Sequence, residues 1–431
     1  MAAGTQRGTA SPKASTKVFY DVVIVGGGPA GSAVARTLRL LGVESVLLLE
    51  AKDYGSVRVG ESLPPETRLL LDELGVWQDF LGQEHEPALG SCSIWGSDAL
   101  GYNDFLFNPH GHGRHLDRRR FDELLARSAE AAGAELRLHT RCVAVRRLAQ
   151  GLELDLVEAD LDDSSGRQTV RARYVVDAAG SAATLARRLG AEKQVHDRLT
   201  CVAAFLVSEQ DGVSCMTWLE AVENGWWYGA RLPGGRAVVA FATDGEIVQS
   251  RGLQRPDRFH AELARTRHLA GAFEDCRPSA EPLLIRGAPS FVLDQPWGED
   301  WLAVGDAASS YDPVTSQGIY KALQDGMAAG RAIARHLAGE TAALSAYGDG
   351  VRDRFREYLA VRNYLYDQER RWADRSFWQL RRARRGVTTA RPEHRDSENP
   401  MKMSLPTDAA PARRRSVPTQ REEIEHVPVP S

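Results

Sequence analysis

A glycine-rich turn set between two apolar runs constrains this chain most: 22-VVIVGGGPAGS-32, then Val46 to Leu49, then Glu50. Val22 to Val25 is wholly apolar, as in a parallel strand buried on both faces. Gly26, Gly28 and Gly31 have the spacing of a turn from strand into helix. The first glycine allows the tight turn, the second lets backbone approach a pyrophosphate, and the third lets helix and strand pack closely. The spacing predicts a helix from Ala30 to Leu41. Its positive end, with Pro29 at the entry, faces the phosphates. The second strand ends in Glu50, with Ala51 after it, and so puts a carboxylate where a ribose hydroxyl pair belongs. Glycines alone would only make a turn. Strand, helix, strand and acid in register make a dinucleotide site.

A second stretch, 301-WLAVGDAASSYDPVTSQGIYKAL-323, selects among dinucleotides. Trp301 to Val304 reads as a short buried strand closed by Gly305-Asp306. A loop with Pro313 leads to Ser316-Gln317-Gly318, where a helix begins with apolar positions at Ile319, Ala322, Leu323, Ala329 and Ile333. The N-terminus of such a helix favours negative charge, which the N1–C2=O edge of a reduced flavin carries. Asp306 is expected to accept a hydrogen bond near the ribityl chain. The plain alternative is an ordinary strand-loop-helix with a capping Asp. Taken with the first stretch, the pair predicts FAD, one end at each motif. Only one dinucleotide fingerprint is present, so NAD(P)H is expected to reach the flavin without its own Rossmann domain or through a separate reductase.

The set GGGPAG, VGESLPP (59–65), HLDRRRFDELL (115–125), VVDAAG (175–180) and GDAASSYDPVTSQG (305–318) resembles class A flavin monooxygenases, within the branch that contains flavin-dependent tryptophan halogenases. The resemblance spans about residues 18 to 340 and rests on five ordered motifs. It implies an α/β fold: a Rossmann-like FAD-binding domain of the glutathione-reductase type, arranged as in p-hydroxybenzoate hydroxylase, interleaved with a mixed β-sheet substrate domain and followed by C-terminal helices. It further implies that Arg118 contacts the flavin phosphates, that Arg58 sits near the flavin ring, that 59-VGES-62 lines the channel beside it, and that Asp177 to Gly180 close a strand over the cofactor.

Two halogenase signatures are missing. Those enzymes use a lysine shortly after the VGE motif to carry hypohalous acid, and here no lysine occurs between Lys52 and Lys193. Their W-x-W-x-I-P motif corresponds to 226-WWYGARLP-233, with Tyr228 and Ala230 at the Trp positions. A narrower resemblance, through GESLPP, WWYGARLP and YDPVTSQGIYKAL, is to flavoproteins that mature tryptophylquinone enzymes, above all the monooxygenase of quinohemoprotein amine dehydrogenase biogenesis. It implies hydroxylation of a tryptophan in a small precursor protein subunit, alone or together with other maturation enzymes. The oxygen comes from O2 as co-substrate, through a flavin C4a-hydroperoxide, with NAD(P)H as electron donor. The hydroperoxide does most of that chemistry, and an indole needs no prior deprotonation, so no catalytic residue is singled out. Pocket candidates are Glu61, Trp95, Trp227, Tyr228, Thr315 and Gln317. On a strand, Trp226 and Tyr228 face one side and Trp227 the other, and core packing is the plain alternative for each. The competing functions are hydroxylation of a small aromatic metabolite, halogenation, a geranylgeranyl-reductase-like reaction without oxygen, and a flavin-bound assembly scaffold.

Composition excludes other classes. With 43% hydrophobic residues and a net charge of −4, the chain has a globular core and no basic footprint for nucleic acid. No apolar stretch is long enough to span a membrane. The opening MAAGTQRGTASPKASTK lacks an apolar core and is no signal peptide, which predicts a cytoplasmic protein. The five cysteines, Cys92, Cys142, Cys201, Cys215 and Cys276, show neither C-x-x-C nor metal spacing. Cys92 is expected in the pocket. The expected organisation is a disordered lead over 1–17 and an FAD-binding domain from 18–87, 109–190 and 286–339. A substrate domain from 88–108 and 191–285, C-terminal helices over 340–386 and a disordered tail over 387–431 complete it.

Overall fold

The computed structural model describes residues 18–158, 166–208 and 213–383. The expected lead over 1–17 and tail over 387–431 lie outside the described residues. The apolar runs of the first motif form the centre of a seven-stranded sheet. Val18–Val25 pairs in parallel with Val46–Leu49 on one side and Gln168–Asp177 on the other. Glu135–Arg137 extends the parallel set at one edge and Trp301–Ala303 at the other. The N-terminal half of Gln168–Asp177 instead pairs antiparallel with Leu152–Glu158, which pairs with Thr140–Arg147. Parallel strands must be covered on both faces. Here the helices Pro29–Leu40, Arg118–Ala131 and Gly318–Leu337 cover one face, and the antiparallel strands fold over the other. Two of these helices approach closely because of glycine: a Cβ at Gly326 would lie 2.6 Å from the Ala30 carbonyl oxygen, and one at Gly330 would lie 2.7 Å from Thr37 Cβ.

The second sheet has nine strands. Its centre is Lys193–Ser208, antiparallel to both Arg236–Asp244 and Leu284–Leu293. Gly225–Leu232, Met216–Val222, Gly90–Ile94 and Gly101–Asp104 continue it to one edge. Period-two alternation divides its faces. Val202, Ala204, Leu206, Val239, Phe241 and Trp227 pack on Val248, Phe259, Leu263, Leu269 and Phe273 from three short helices and their flanks. Burying each large apolar side chain there contributes about 1.5–3 kcal/mol. The alternate residues turn towards the dinucleotide fold. The expected return to the FAD-binding domain at residue 286 is corrected: Leu284–Leu293 is hydrogen-bonded along Lys193–Ser208, and the chain rejoins the first sheet at Trp301. That strand serves both units, since Phe291 to Leu293 belong to the core around the first motif. Ala342–Gln368 and Ser376–Ala383 are the C-terminal helices. Among the described residues, no helix is long and apolar enough to cross a membrane.

Candidate functional site

Three glycine-bearing turns converge at the C-terminal ends of the parallel strands. Gly26 has φ +117°, and a Cβ there would lie 2.3 Å from the Ala178 carbonyl oxygen. A Cβ at Gly31 would lie 2.0 Å from the Gly26 carbonyl oxygen, and one at Gly305, with φ +60°, would lie 2.7 Å from Ala30 Cβ. The stretches 22–32, 175–180 and 301–318 therefore touch, and no larger residue fits where they do. Gly28 differs: a Cβ there would meet nothing within 4 Å, so its backbone faces open space at the head of Pro29–Leu40.

The polar groups around this junction are held in place. Glu50 is buried, and its Oε2 accepts from the Gly27 N–H at 3.0 Å and its Oε1 from the Lys52 N–H at 3.2 Å. An ionised carboxylate has lone pairs to spare beyond two such bonds. Ala51 follows it, half-buried. Asp117 caps Arg118–Ala131 by accepting from the Arg119 N–H at 3.0 Å, a contact worth about 1 kcal/mol. The first residue of that helix, Arg118, donates to the Val59 and Gly60 carbonyls at 2.7 and 3.0 Å and to Asp122 at 3.0 and 3.1 Å. Asp306 is half-exposed, 3.3 Å from the ammonium of the buried Lys321. Asp312 is fully buried; it accepts from the Val314 N–H at 3.0 Å, the Tyr366 hydroxyl at 2.8 Å and the Arg362 guanidinium at 3.2 Å. This fixes the turn Pro313–Thr315, after which Gly318–Leu337 starts with Gln317 at its head.

Between this junction and the second sheet lies a cleft of about 330 Å³. Pro29, Arg118, Asp306, Pro313 and Gly318 line one side, and Cys201, Trp226, Tyr228, Val238, Ala240 and Ala242 the other. The Tyr228 hydroxyl lies 2.8 Å from the Ser62 hydroxyl, and Trp226 Nε1 donates to the Tyr366 hydroxyl at 3.0 Å. Glu61 is 3% exposed and forms part of the wall. Its Oε2 accepts from the Gly60 N–H at 2.9 Å, while its Oε1 has no partner among the described residues. Burial pushes its carboxyl up to about 7, against the opposing pull of Arg118. Burial likewise raises the Tyr228 phenol and pushes the Cys201 thiol up to about 12, so both are protonated at neutral pH.

A family model described as FAD binding domain matches residues 19–359. The chain belongs to the FAD-binding domain family. Within that similarity, the FAD-dependent oxidoreductase LodB of Marinomonas mediterranea is 30% identical over 365 residues, 84% of this chain and 97% of its own. The crystal structure of CmlS, a flavin-dependent halogenase, superposes with a TM-score of 0.75 at 26% identity, covering 87% of this chain and 68% of its own. The peptidyl tryptophan dihydroxylase QhpG, described as essential for tryptophylquinone cofactor biogenesis, has the same fold with a TM-score of 0.64 at 22% identity, covering 84% of this chain and 79% of its own.

The residues present fit the FAD of this family. Pro29 beside the open Gly28 backbone, Arg118, Asp306 and the head of Gly318–Leu337 line one cleft, the buried Glu50 carboxylate is tied to the same turn through the Gly27 N–H, and the glycines where the turns meet admit no side chain. Several sequence-predicted pocket residues lie elsewhere. Arg58 reaches away from the cleft to Asp122 at 3.0 Å and Glu50 at 3.6 Å, because two carboxylates await it there. Trp227 is stacked on Phe241 on the helix-covered face of the sheet. Trp95 packs behind Trp226 against Trp378, with its Nε1 donating to the Leu365 carbonyl at 2.7 Å. Thr315 turns its hydroxyl to the Asp312 carbonyl at 3.3 Å. Gln317 stands half-buried beside the cleft-lining Ser316 and Gly318 without lining the cleft itself. Cys92 is buried away from the cleft, which Cys201 lines instead. Lys321, Arg362 and Tyr366 were not singled out from sequence. A lysine among apolar positions of a buried helix was the one available signal.

Proposed function

We propose that this protein is an FAD-dependent monooxygenase that hydroxylates an electron-rich aromatic ring, a tryptophan side chain of a precursor protein during tryptophylquinone cofactor biogenesis. The cleft wall carries this reading. Trp226 and Tyr228 stand on it beside the small apolar Ala203, Val238, Ala240 and Ala242, and no lysine is among the described lining residues. A halogenating site of this type depends on such a lysine. The substrate class that QhpG's description names, a peptidyl tryptophan, supports the same reading by analogy with a protein of the same fold.

FAD, when bound, supplies the electron transfer and oxygen chemistry, with NAD(P)H as donor and O2 as co-substrate. The chain's own residues bind and orient. Glu50 would hold the adenosine ribose by accepting from its hydroxyls. The N-termini of Pro29–Leu40 and Gly318–Leu337 and the Arg118 guanidinium favour the anionic parts of the dinucleotide. The Trp226 ring, fixed through Tyr366, offers an aromatic contact to an incoming indole, where offset or edge-on packing is worth about 0.5–1.5 kcal/mol beyond area. Val238, Ala240 and Ala242 exclude water. One rim, at residues 285–287, is exposed, which suits a ring delivered on a polypeptide.

The test is intact-mass analysis of a precursor subunit incubated under air with the FAD-loaded protein and NADH or NADPH. The expected outcome is a gain of oxygen mass on a tryptophan. Oxygen gain by free indoles or phenols with an unchanged precursor would replace the protein substrate by a small metabolite. Halogenation is the second reading, favoured by the similarity to CmlS. Adding chloride or bromide to the same assay tests it, and a halogen mass shift would establish it.

A further inference from the structure

Glu61 is a buried carboxyl, one oxygen of which has no hydrogen-bond partner among the described residues. It also stands in the partition between two spaces. On one side is the cleft; on the other is a side cavity of about 10 Å³, at the lower limit of what one water molecule needs. Glu61 and Arg118 line both. The side cavity is otherwise strongly cationic, with Arg58, Arg119 and Arg236 around it and Asp117 at its edge. From the second sheet, the Tyr228 phenol and Arg236 face the carboxyl, and from the helix Arg118 does. A purely structural acid would be paired with one of these arginines. Arg118 is instead committed to Asp122 and two carbonyls, and Arg236 to Glu281 at 2.7 and 2.8 Å.

We infer that Glu61 is the proton carrier of the cleft, giving a proton on the cleft side and regaining one from solvent water by way of the arginine-lined side cavity. The inference rests on the monooxygenase reading for its place in turnover. There, a reduced nicotinamide, O2, an aromatic C–H and one proton become the oxidised nicotinamide, C–OH and water. One oxygen atom enters the C–H bond and the other leaves as water, which takes up the proton from outside. Without substrate, the same donor, O2 and one proton give the oxidised donor and hydrogen peroxide. Both stoichiometries need one external proton, so the role can be read without any aromatic substrate. Burial sets the carboxyl at about 7, where it exchanges protons freely.

The experiment uses FAD-loaded protein, reduced anaerobically and mixed with air-saturated buffer across a pH series, with flavin absorbance followed in wild type, Glu61→Gln and Glu61→Asp. The wild-type rate is expected to fall as pH rises through about 7, because the acid acts in its protonated form. Glu61→Gln should be at least about tenfold slower and flat through that range, a general acid being worth about 10²–10⁴-fold. Glu61→Asp should titrate with a displaced midpoint. A second readout needs no oxygen chemistry: the infrared difference spectrum of the protein between acid and alkaline pH should show a protonated carboxyl lost in wild type and absent in Glu61→Gln. Identical pH profiles for wild type and Glu61→Gln, or an unchanged carboxyl signal, would overturn the inference. Neither readout contains the precursor, so failure here is separate from failure of the proposed substrate.

Discussion

At the scale of single residues, the site depends on groups whose partners are few and fixed. Glu50 has two backbone donors and Arg58 at 3.6 Å, and an ionised carboxylate keeps acceptor capacity beyond these for a ribose hydroxyl. A hydrogen bond to a charged group is worth about 1.5–3 kcal/mol. Glu50→Ala should therefore weaken FAD binding by about one to two orders of magnitude in a fluorescence titration, with Glu50→Gln between it and wild type. His85 offers a pH test. Its Nδ1 accepts from the Asp117 N–H at 3.2 Å and its Nε2 faces Gln83 Oε1 at 2.9 Å, an arrangement that needs the neutral ring. Burial pushes the imidazole down from 6.5 to about 4, so between those values the unfolded chain binds the proton that the folded one refuses. Stability is then retained above about pH 6.5 and lost as pH falls towards 4. His115, also pushed down to about 4 by burial, acts in the same direction. Glu61 acts oppositely: its raised carboxyl favours the fold at low pH and loses that contribution as pH rises through about 7. His85→Asn keeps a donor and an acceptor without the titration. Its urea midpoint should decline less steeply on acidification than that of wild type.

At the scale of elements, two helices aim their N-termini at one ligand only if their axes lie close. Gly326 and Gly330 allow this. Gly326→Ala would press a methyl against the Ala30 carbonyl oxygen and Ala33 Cβ at 2.6 and 2.7 Å. The backbone must shift, and overpacking of this kind costs about 1–3 kcal/mol. The expected result is a lower urea midpoint together with poorer FAD retention, whereas Gly271→Ala, at a helical glycine with open space around it, should be neutral or slightly stabilising. Elements were also the most legible level of the sequence. The strand–turn–helix of the first motif was readable because a positive φ or a close approach admits only glycine at Gly26 and Gly31, and the helix after Gly318 was readable from its apolar spacing. The alternation of Trp226, Trp227 and Tyr228 was readable too, but not which face meets the cleft. Both faces of that strand are buried, one by the short helices and one by the C-terminal helices and the turn at Val314, so hydrophobicity does not distinguish them. Trp95 was misplaced for a related reason. Its position is decided by Trp378, a partner far along the chain that carries no local signal.

At the scale of the whole molecule, the least legible feature joins the parts. Asp312, on the turn that leads into Gly318–Leu337, shares Arg362 with Asp197 of the second sheet, and Arg381 of the last described helix reaches Asp197 at 3.0 Å and Asp244 at 2.8 Å. Tyr366 adds a hydroxyl between Asp312 and the cleft residue Trp226. The C-terminal helices thus hold the flavin-side turn and the cleft wall in one buried network, assembled from charges 50 to 184 residues apart. The net contribution of such a network to stability is small, because desolvation offsets attraction, but removing one member strands the others. Arg362→Met takes one cation away from the buried carboxylates of Asp312 and Asp197, 0% and 6% exposed. That should cost about 3–5 kcal/mol. Arg356→Met removes an exposed ion pair with Asp353 and should cost no more than about 1 kcal/mol. Thermal unfolding of both variants, with and without FAD, separates the outcomes. Arg362→Met should lower the midpoint by several degrees and lose much of the stabilisation that FAD gives wild type, since Asp312 holds the turn beside the cofactor. Equal midpoints for the two variants would mean that the buried charges do not tie the terminal helices to the site.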